Sequence, residues 1–221
     1  MSHFEAQRLE ICRVGRSLFK RGLVHATAGN ISVRLPGAQG FLITPTDACL
    51  GFLEPDQLAH TDVAGRPLGG ARASKTLALH RAIYAAEPEA HCVLHSHATH
   101  LVALTLVGVW SAAAILPPIT PYFVMKVGRV PLVKYHRPGD PAMIEPVVAL
   151  IVGARERGAP IRAVMLERLG PNVWHESPAA AMATLDELEE TARLWLLSER
   201  RATPLSDTQI DELRGAFGAR W

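Results

Sequence analysis

The chain has 221 residues and a mass of 24.0 kDa, and 48% of its residues are hydrophobic while 20% are charged. This composition predicts a soluble globular chain with a sizeable core and excludes collagen, coiled-coil and disordered classes. Lys and Arg total 23 and Asp and Glu total 21, and the basic residues form no cluster, so a nucleic-acid partner is not expected.

The expected absence of a membrane helix and of a secretory signal, together with the cysteine usage, predicts a cytoplasmic protein. The most apolar stretch, Leu101 to Leu116, is shorter than the ~20 residues that span a bilayer, so no membrane helix is expected. The first ten residues include acidic side chains and lack the apolar segment of a secretory signal. Three cysteines without close spacing, Cys12, Cys49 and Cys92, argue against disulfides and against a cysteine zinc site.

The first half of the chain opens with a helix and continues with short strands. Apolar spacing predicts an amphipathic helix over 2–21, followed by a β-hairpin with strands at 31–35 and 41–43. A helix is predicted over 74–86, where Glu87-Pro88 ends it. A short buried strand over 92–94 then leads directly into a pair of histidines.

The second half alternates helices and buried strands. Helices are predicted over 98–107, 141–157 and 177–201, and strands over 130–133 and 161–166. We find no internal repeat. The pattern therefore predicts a single α/β domain over residues 1–221, with helices packed on a mixed sheet.

The sharpest local motif is His95-Ser96-His97. In a strand, residues two apart point to the same face, so both imidazoles could bind one divalent metal while Ser96 faces the opposite side. Two histidines make only half of a catalytic metal site, and two polar residues at a strand end are an equally good interpretation. His100 lies three residues further on and is better explained as a structural histidine.

Three segments could hold an anion: Ala28-Gly29-Asn30, Thr44-Pro45-Thr46-Asp47 and Ser74-Lys75-Thr76. Backbone amides at a helix start, hydroxyl groups and one ammonium group suit a phosphate. Taken singly, each segment is better explained as an ordinary turn or helix cap. Their order along the chain is more informative than any of them alone.

Taken together, Thr27-Ala28-Gly29-Asn30-Ile31-Ser32, Ile43-Thr44-Pro45-Thr46, Ser74-Lys75-Thr76 with His80, and His95-Ser96-His97 resemble the class II aldolase and adducin-head family. The resemblance covers nearly the whole chain. It implies a three-layer α/β/α fold with a central, mainly antiparallel sheet, and a homotetramer with active sites between subunits. The segments 119–128, 135–140 and 188–192 most resemble the 3-oxo-tetronate 4-phosphate decarboxylase branch of this family.

The resemblance also implies roles for individual residues. Tyr122 resembles the tyrosine that, in the aldolases, reaches into a neighbouring subunit and protonates the intermediate. At Asp47 the family often has glycine, so a carboxylate there must turn away from the phosphate. The implied sites are a metal, expected to be zinc, on His95 and His97, substrate phosphate on Asn30, Thr46, Asp47 and Ser74, and catalytic positions at Tyr122, Lys75 and Thr76.

Two positions depart from the family pattern. Thr76 stands where the aldolases have a catalytic glutamate, and Leu169 stands where a third metal-binding histidine is expected. Leucine cannot bind a metal, so the third ligand must come from elsewhere, with Glu167, His136 and His175 as the nearby candidates. Retro-aldol cleavage needs a base, whereas loss of carbon dioxide from a β-keto acid does not, so Thr76 favours decarboxylation.

The predicted function is therefore metal-dependent decarboxylation of 3-oxo-tetronate 4-phosphate to dihydroxyacetone phosphate and carbon dioxide. Two alternatives stay open. The first is a sugar-phosphate aldolase or epimerase of the same family. The second is a non-catalytic binding module, because a fold of this kind can be kept without its chemistry.

Overall fold

The computed structural model describes residues 4–221 as helices packed on both faces of one eight-stranded sheet. The helices are α1 Glu5–Lys20, α2 Leu77–Ala86, α3 Thr99–Val107, α4 Ile144–Glu156, α5 Pro178–Leu197 and α6 Asp207–Phe217. The strands are β1 Asn30–Arg34, β2 Phe41–Ile43, β3 Ala59–Thr61, β4 Pro67–Gly69, β5 Cys92–His95, β6 Leu132–Val133, β7 Ala163–Leu166 and β8 Gly170–His175.

The sheet runs in the order β4-β3-β2-β1-β5-β8-β7-β6. Every neighbouring pair is antiparallel except β6 and β7. The long connection that carries α2 places β5 beside β1, and β8 then pairs with the other edge of β5. As a result β1, β5 and β8 lie side by side at the centre of the sheet.

The strands bury both faces, each under a different set of helices. Side chains such as Leu94 and Val173 pack with α1, α3 and α5, whereas Val93 and Trp174 pack with α2 and α4. This alternation follows from the two-residue period of a strand. It forms three layers, and the mainly antiparallel α/β/α fold implied by the resemblance is confirmed.

The predicted helices and strands exist, but several boundaries were wrong. Helix α1 begins at Glu5, and Ser2, where the predicted helix was to begin, lies outside the described residues. Helix α2 begins at Leu77 rather than residue 74, because the hydroxyl groups of Ser74 and Thr76 bond to each other instead of capping the helix. Helix α5 ends at Leu197, before two residues with positive φ.

A π-helical turn and helix α6 are among the elements that were not predicted. Residues Phe123–Val127 form a π-helical turn after a proline-rich segment. Helix α6 was missed although Ser206 and Gln209 form a capping box and Gly218 ends it in a left-handed conformation. It buries few apolar residues, so its hydrophobic period is weak.

Across residues 4–221, no helix combines the length and the hydropathy needed to cross a membrane.

Candidate active site

A cleft of about 240 Å³ opens where the centre of the sheet meets the start of α2. Strand pairing explains its position: Asn30 of β1 and Asn172 of β8 are both Cα partners of His95 on β5. Directly paired residues point to the same face of a sheet, so three strands bring polar side chains into one row. All the predicted site residues except Tyr122 line this cleft: Asn30, Thr46, Asp47, Ser74, Lys75, Thr76, His95 and His97.

The two histidines of the motif come together as predicted. Their ring centroids are 4.9 Å apart with an interplanar angle of 73°. Strand β5 ends at His95, so His97 lies just beyond it. Ser96 faces the opposite side, where its buried hydroxyl donates to the carbonyl of Leu23 at 2.6 Å and accepts from the amide of Ala98 at 3.0 Å. We call the row of His95, His97 and Asn172 the histidine wall.

Both imidazoles of the histidine wall are neutral at physiological pH. Burial, then the neighbouring His97, lowers the pKa of His95 to about 3. Burial, then His25, also lowers the pKa of His97. His95 Nδ1 lies 3.0 Å from the carbonyl oxygen of Pro171, which can only accept, so Nδ1 carries the proton and Nε2 has a free lone pair. A neutral imidazole with a free nitrogen is the form that binds metals.

Beside the histidine wall, the cleft is lined by hydroxyl and amide groups that already bond to one another. Thr76 Oγ1 donates to Asn30 Oδ1 at 2.9 Å and lies 3.0 Å from Ser74 Oγ. We call Asn30, Ser74 and Thr76 the hydroxyl wall. These contacts fix the side chains at the N-terminus of α2, where backbone amides favour an anion.

Thr46, Asp47 and Lys75 complete the lining of the cleft. The amide of Thr46 donates to the carbonyl of Arg72 at 3.0 Å. Asp47 is exposed and has a φ of 56°, a conformation that favours glycine and is consistent with the glycine expected there from the resemblance. Lys75 is exposed and is the cationic side chain of the cleft lining.

A close approach of backbones holds the histidine wall in place. A Cβ atom on Gly170 would lie 1.9 Å from the carbonyl oxygen of Ser96, and Gly170 has a φ of 127°. Only glycine permits this contact. It fixes β8 against the histidine motif and presents the carbonyl of Pro171 to His95.

The structure does not place Tyr122 on the cleft. Its side chain is 63% exposed, at the start of the π-helical turn. The expectation that it acts in a neighbouring subunit stays a prediction.

The candidate third ligands lie elsewhere. Glu167 accepts a hydrogen bond from the amide of Tyr135 at 3.0 Å. His175 is at the far end of β8, between Arg162 and Glu176. Neither they nor His136 line the cleft, whereas Leu169 does. Within residues 4–221, no group of three or more His, Cys, Asp or Glu side chains is arranged to hold a metal.

Sequence reasoning assigned no role to three polar residues near the site. His25 packs edge-on against His97 with ring centroids 6.2 Å apart. His80 is buried, and its Nδ1 lies 2.7 Å from Ser32 Oγ. Asn172 lines the cleft but was passed over between Pro171 and an apolar pair. The available signal for Asn172 was that it is a polar residue inside an apolar strand.

His100 is structural, since its Nδ1 lies 2.8 Å from the carboxylate of Glu189.

Comparisons with known proteins identify the family. Residues 9–196 match the family described as Class II Aldolase and Adducin N-terminal domain, and the chain belongs to it. The resemblance stated from sequence is therefore confirmed.

Individual relatives are similar over nearly their whole length. The chain is 52% identical to a 3-oxo-tetronate 4-phosphate decarboxylase of Cupriavidus necator, covering 100% of both chains. It is 37% identical to the Escherichia coli K12 protein of the same name, over 95% of this chain and 96% of that one. The crystal structure of YgbL from Escherichia coli, a putative aldolase/epimerase/decarboxylase, superposes with a TM-score of 0.85 at 37% identity, covering 95% of this chain and 98% of that chain. An L-fuculose 1-phosphate aldolase shares the fold, with a TM-score of 0.81 at 20% identity over 99% and 98%.

Class II aldolases generally depend on a metal, and the histidine wall fits one. His95 presents Nε2 while its Nδ1 is held by a backbone carbonyl, as is usual for metal-binding histidines. The neighbouring ring of His97 is also neutral. The two imidazoles supply two of the ligands that a catalytic site needs.

Proposed function

We propose that the protein is a carboxy-lyase that converts 3-oxo-tetronate 4-phosphate to dihydroxyacetone phosphate and carbon dioxide. The lyase class and the decarboxylase activity predicted from sequence agree with the curated relatives. The structural observation that carries the proposal is a neutral histidine pair facing a hydroxyl group, Thr76, where an aldolase would need a carboxylate base.

The reaction breaks one carbon–carbon bond. The carboxyl group leaves as carbon dioxide, and its bonding electrons move toward the adjacent ketone. A proton added to the carbon that lost the carboxyl group then completes dihydroxyacetone phosphate. A divalent cation held by His95 and His97, with zinc as the expected ion, would act as a Lewis acid at the ketone oxygen.

The hydroxyl wall holds the phosphate in this proposal. Asn30, Ser74 and Thr76 are fixed by their mutual hydrogen bonds, so little side-chain freedom is lost when an anion binds. Thr46 contributes its hydroxyl group, because its amide already bonds to Arg72, and Asp47 contributes through its backbone. Lys75 supplies the positive charge that a phosphate dianion needs. The phosphate then fixes the ketone beside the histidine wall, where orientation lowers the barrier.

Thr76 therefore supports substrate binding by orienting Asn30. Its hydroxyl group donates to Asn30 Oδ1, which leaves the amide hydrogens of Asn30 for the substrate. The absence of a carboxylate at position 76 also keeps negative charge away from an anionic substrate.

Tyr122 is the proposed proton donor, acting in the site of an adjacent subunit of a homotetramer. Its side chain is exposed and does not line the cleft of its own chain, which supports this arrangement. We also propose a cytoplasmic location, which three free cysteines support.

The test is product analysis with both stereoisomers of 3-oxo-tetronate 4-phosphate. Release of carbon dioxide, together with dihydroxyacetone phosphate detected by a coupled reductase, is the expected result. An aldehyde product would establish the aldolase alternative instead. No turnover with metal-loaded protein, for either isomer, would favour the binding-module alternative.

A further inference from the structure

Asn172 is a polar side chain for which the proposed function gives no role. It is 1% exposed, and neither Nδ2 nor Oδ1 has a hydrogen-bond partner among the described residues. A buried amide without partners costs about 1–3 kcal/mol, so such groups are uncommon in folded proteins. An orphaned amide that lines a cleft indicates a ligand.

Strand pairing places Asn172 next to His95. The two residues are Cα partners in the antiparallel pair of β5 and β8, which puts their Cβ atoms roughly 4.5–5.5 Å apart on the same face. The preceding residue, Pro171, orients His95 through its carbonyl oxygen. One short segment of β8 therefore fixes the tautomer of the histidine and sets an amide oxygen beside its ring.

The candidate third ligands named from sequence, Glu167, His136 and His175, do not line the cleft. Leu169, which does line it, has no donor atom. Glu167 bonds to the backbone of Tyr135, and His175 lies at the far end of β8. Asn172 has an oxygen, lies on the correct face and lacks a partner.

We propose that Oδ1 of Asn172 is the third protein ligand of the divalent cation, replacing the histidine lost at Leu169. This inference rests on the metal-binding part of the proposed function. The ligand set is two neutral imidazoles and one neutral amide, so the full charge of the cation remains available to the substrate.

An amide oxygen also changes the choice of metal. Oxygen donors suit magnesium and manganese, whereas imidazole suits zinc. The preference for zinc over manganese is therefore smaller here than in a site with three histidines.

The experiment measures metal affinity directly, by competition with a chromophoric chelator, on the full chain. The variants are Asn172→Leu, Asn172→Asp and the double variant Asn172→Leu/Leu169→His. Wild-type protein should bind one zinc ion per chain. Asn172→Leu should weaken zinc binding more than tenfold, the scale seen when groups that support a metal site are removed. Asn172→Asp should retain or tighten binding, because it keeps the oxygen and adds a charge.

The double variant provides the decisive comparison. Restoring the family histidine should recover zinc affinity and raise the ratio of zinc to manganese affinity above the wild-type value. Thermal unfolding of the metal-free proteins separates ligation from folding, because leucine in place of an unpaired amide should not lower Tm.

Three results would overturn the proposal. The first is unchanged metal affinity in Asn172→Leu, since that result leaves Asn172 outside the metal site. The second is wild-type protein that binds no zinc or manganese. The third is loss of affinity that neither Asn172→Asp nor the double variant recovers. Because these measurements use no substrate, failure of the decarboxylase assay is a separate result.

Discussion

The two walls of the cleft differ in how far their polar groups are satisfied within the chain. On the hydroxyl wall, Thr76 bonds to both Asn30 and Ser74, so the wall is formed before any ligand arrives. On the histidine wall, Asn172 has no partner and His95 presents a free Nε2. The hydroxyl wall is therefore already ordered to orient a ligand. The histidine wall has free donor atoms that can bind a metal ion.

The largest expected effect comes from removing a histidine. His95→Ala should abolish metal binding and lower kcat/KM for carbon dioxide release by about 10³-fold or more, because the electrostatic stabilisation of the developing charge is lost. Elemental analysis and a stopped assay measure both effects. His100→Ala is the matched control, because that imidazole bonds to Glu189 outside the cleft.

A His95→Ala protein that keeps its metal and its activity would remove the distinction between the walls. The hydroxyl wall would then have to contain the reacting groups, and the metal would have to lie elsewhere.

Tyr122 lies on neither wall, so its variant tests whether the site is complete within one chain. Tyr122→Phe should slow formation of dihydroxyacetone phosphate by about 10²-fold while carbon dioxide release continues, because only general-acid catalysis is lost. The reaction in deuterium oxide should also lose its preference for one face of the new carbon–hydrogen bond. Unchanged rate and stereochemistry would assign the proton to another group.

The burial of His80 on α2 predicts that the folded protein loses stability in acid. Burial lowers the pKa of His80 to about 3, while the unfolded chain titrates near ~6.5. The unfolded state binds more protons between these values, so the stability that this group contributes is fully present above ~6.5 and falls as the pH decreases toward 3. At pH 5 the loss is about 2 kcal/mol.

Urea unfolding of metal-free protein at pH 7.5 and pH 5 measures this loss. In His80→Gln the decrease in unfolding free energy should be smaller than in wild type by about that amount. His95 is present in both proteins, so its own titration cancels from the comparison. Equal decreases would show that His80 is already protonated in the folded state.

The sequence was most informative where local backbone geometry alone determines which way a side chain points. The two-residue strand period predicted that His95 and His97 would share a face and that Ser96 would not, and the structure confirms it. It could not predict that Asn172 would face His95, because the register between β5 and β8 depends on the packing of the whole sheet. The same limit applies to the candidate ligands Glu167 and His175, which are close in sequence to Leu169 but point elsewhere.

The hydroxyl wall offers the smallest and most selective test of the comparison. Thr76→Val removes the hydroxyl group that Asn30 accepts from and leaves a side chain of similar size. We expect KM to rise about tenfold, since an uncompensated polar group costs about 1–3 kcal/mol, while metal affinity stays at the wild-type value. Thr76→Ser keeps the hydroxyl group and should restore KM. A Thr76→Val variant that loses metal rather than substrate affinity would place the cation on the hydroxyl wall and reverse the roles of the two walls.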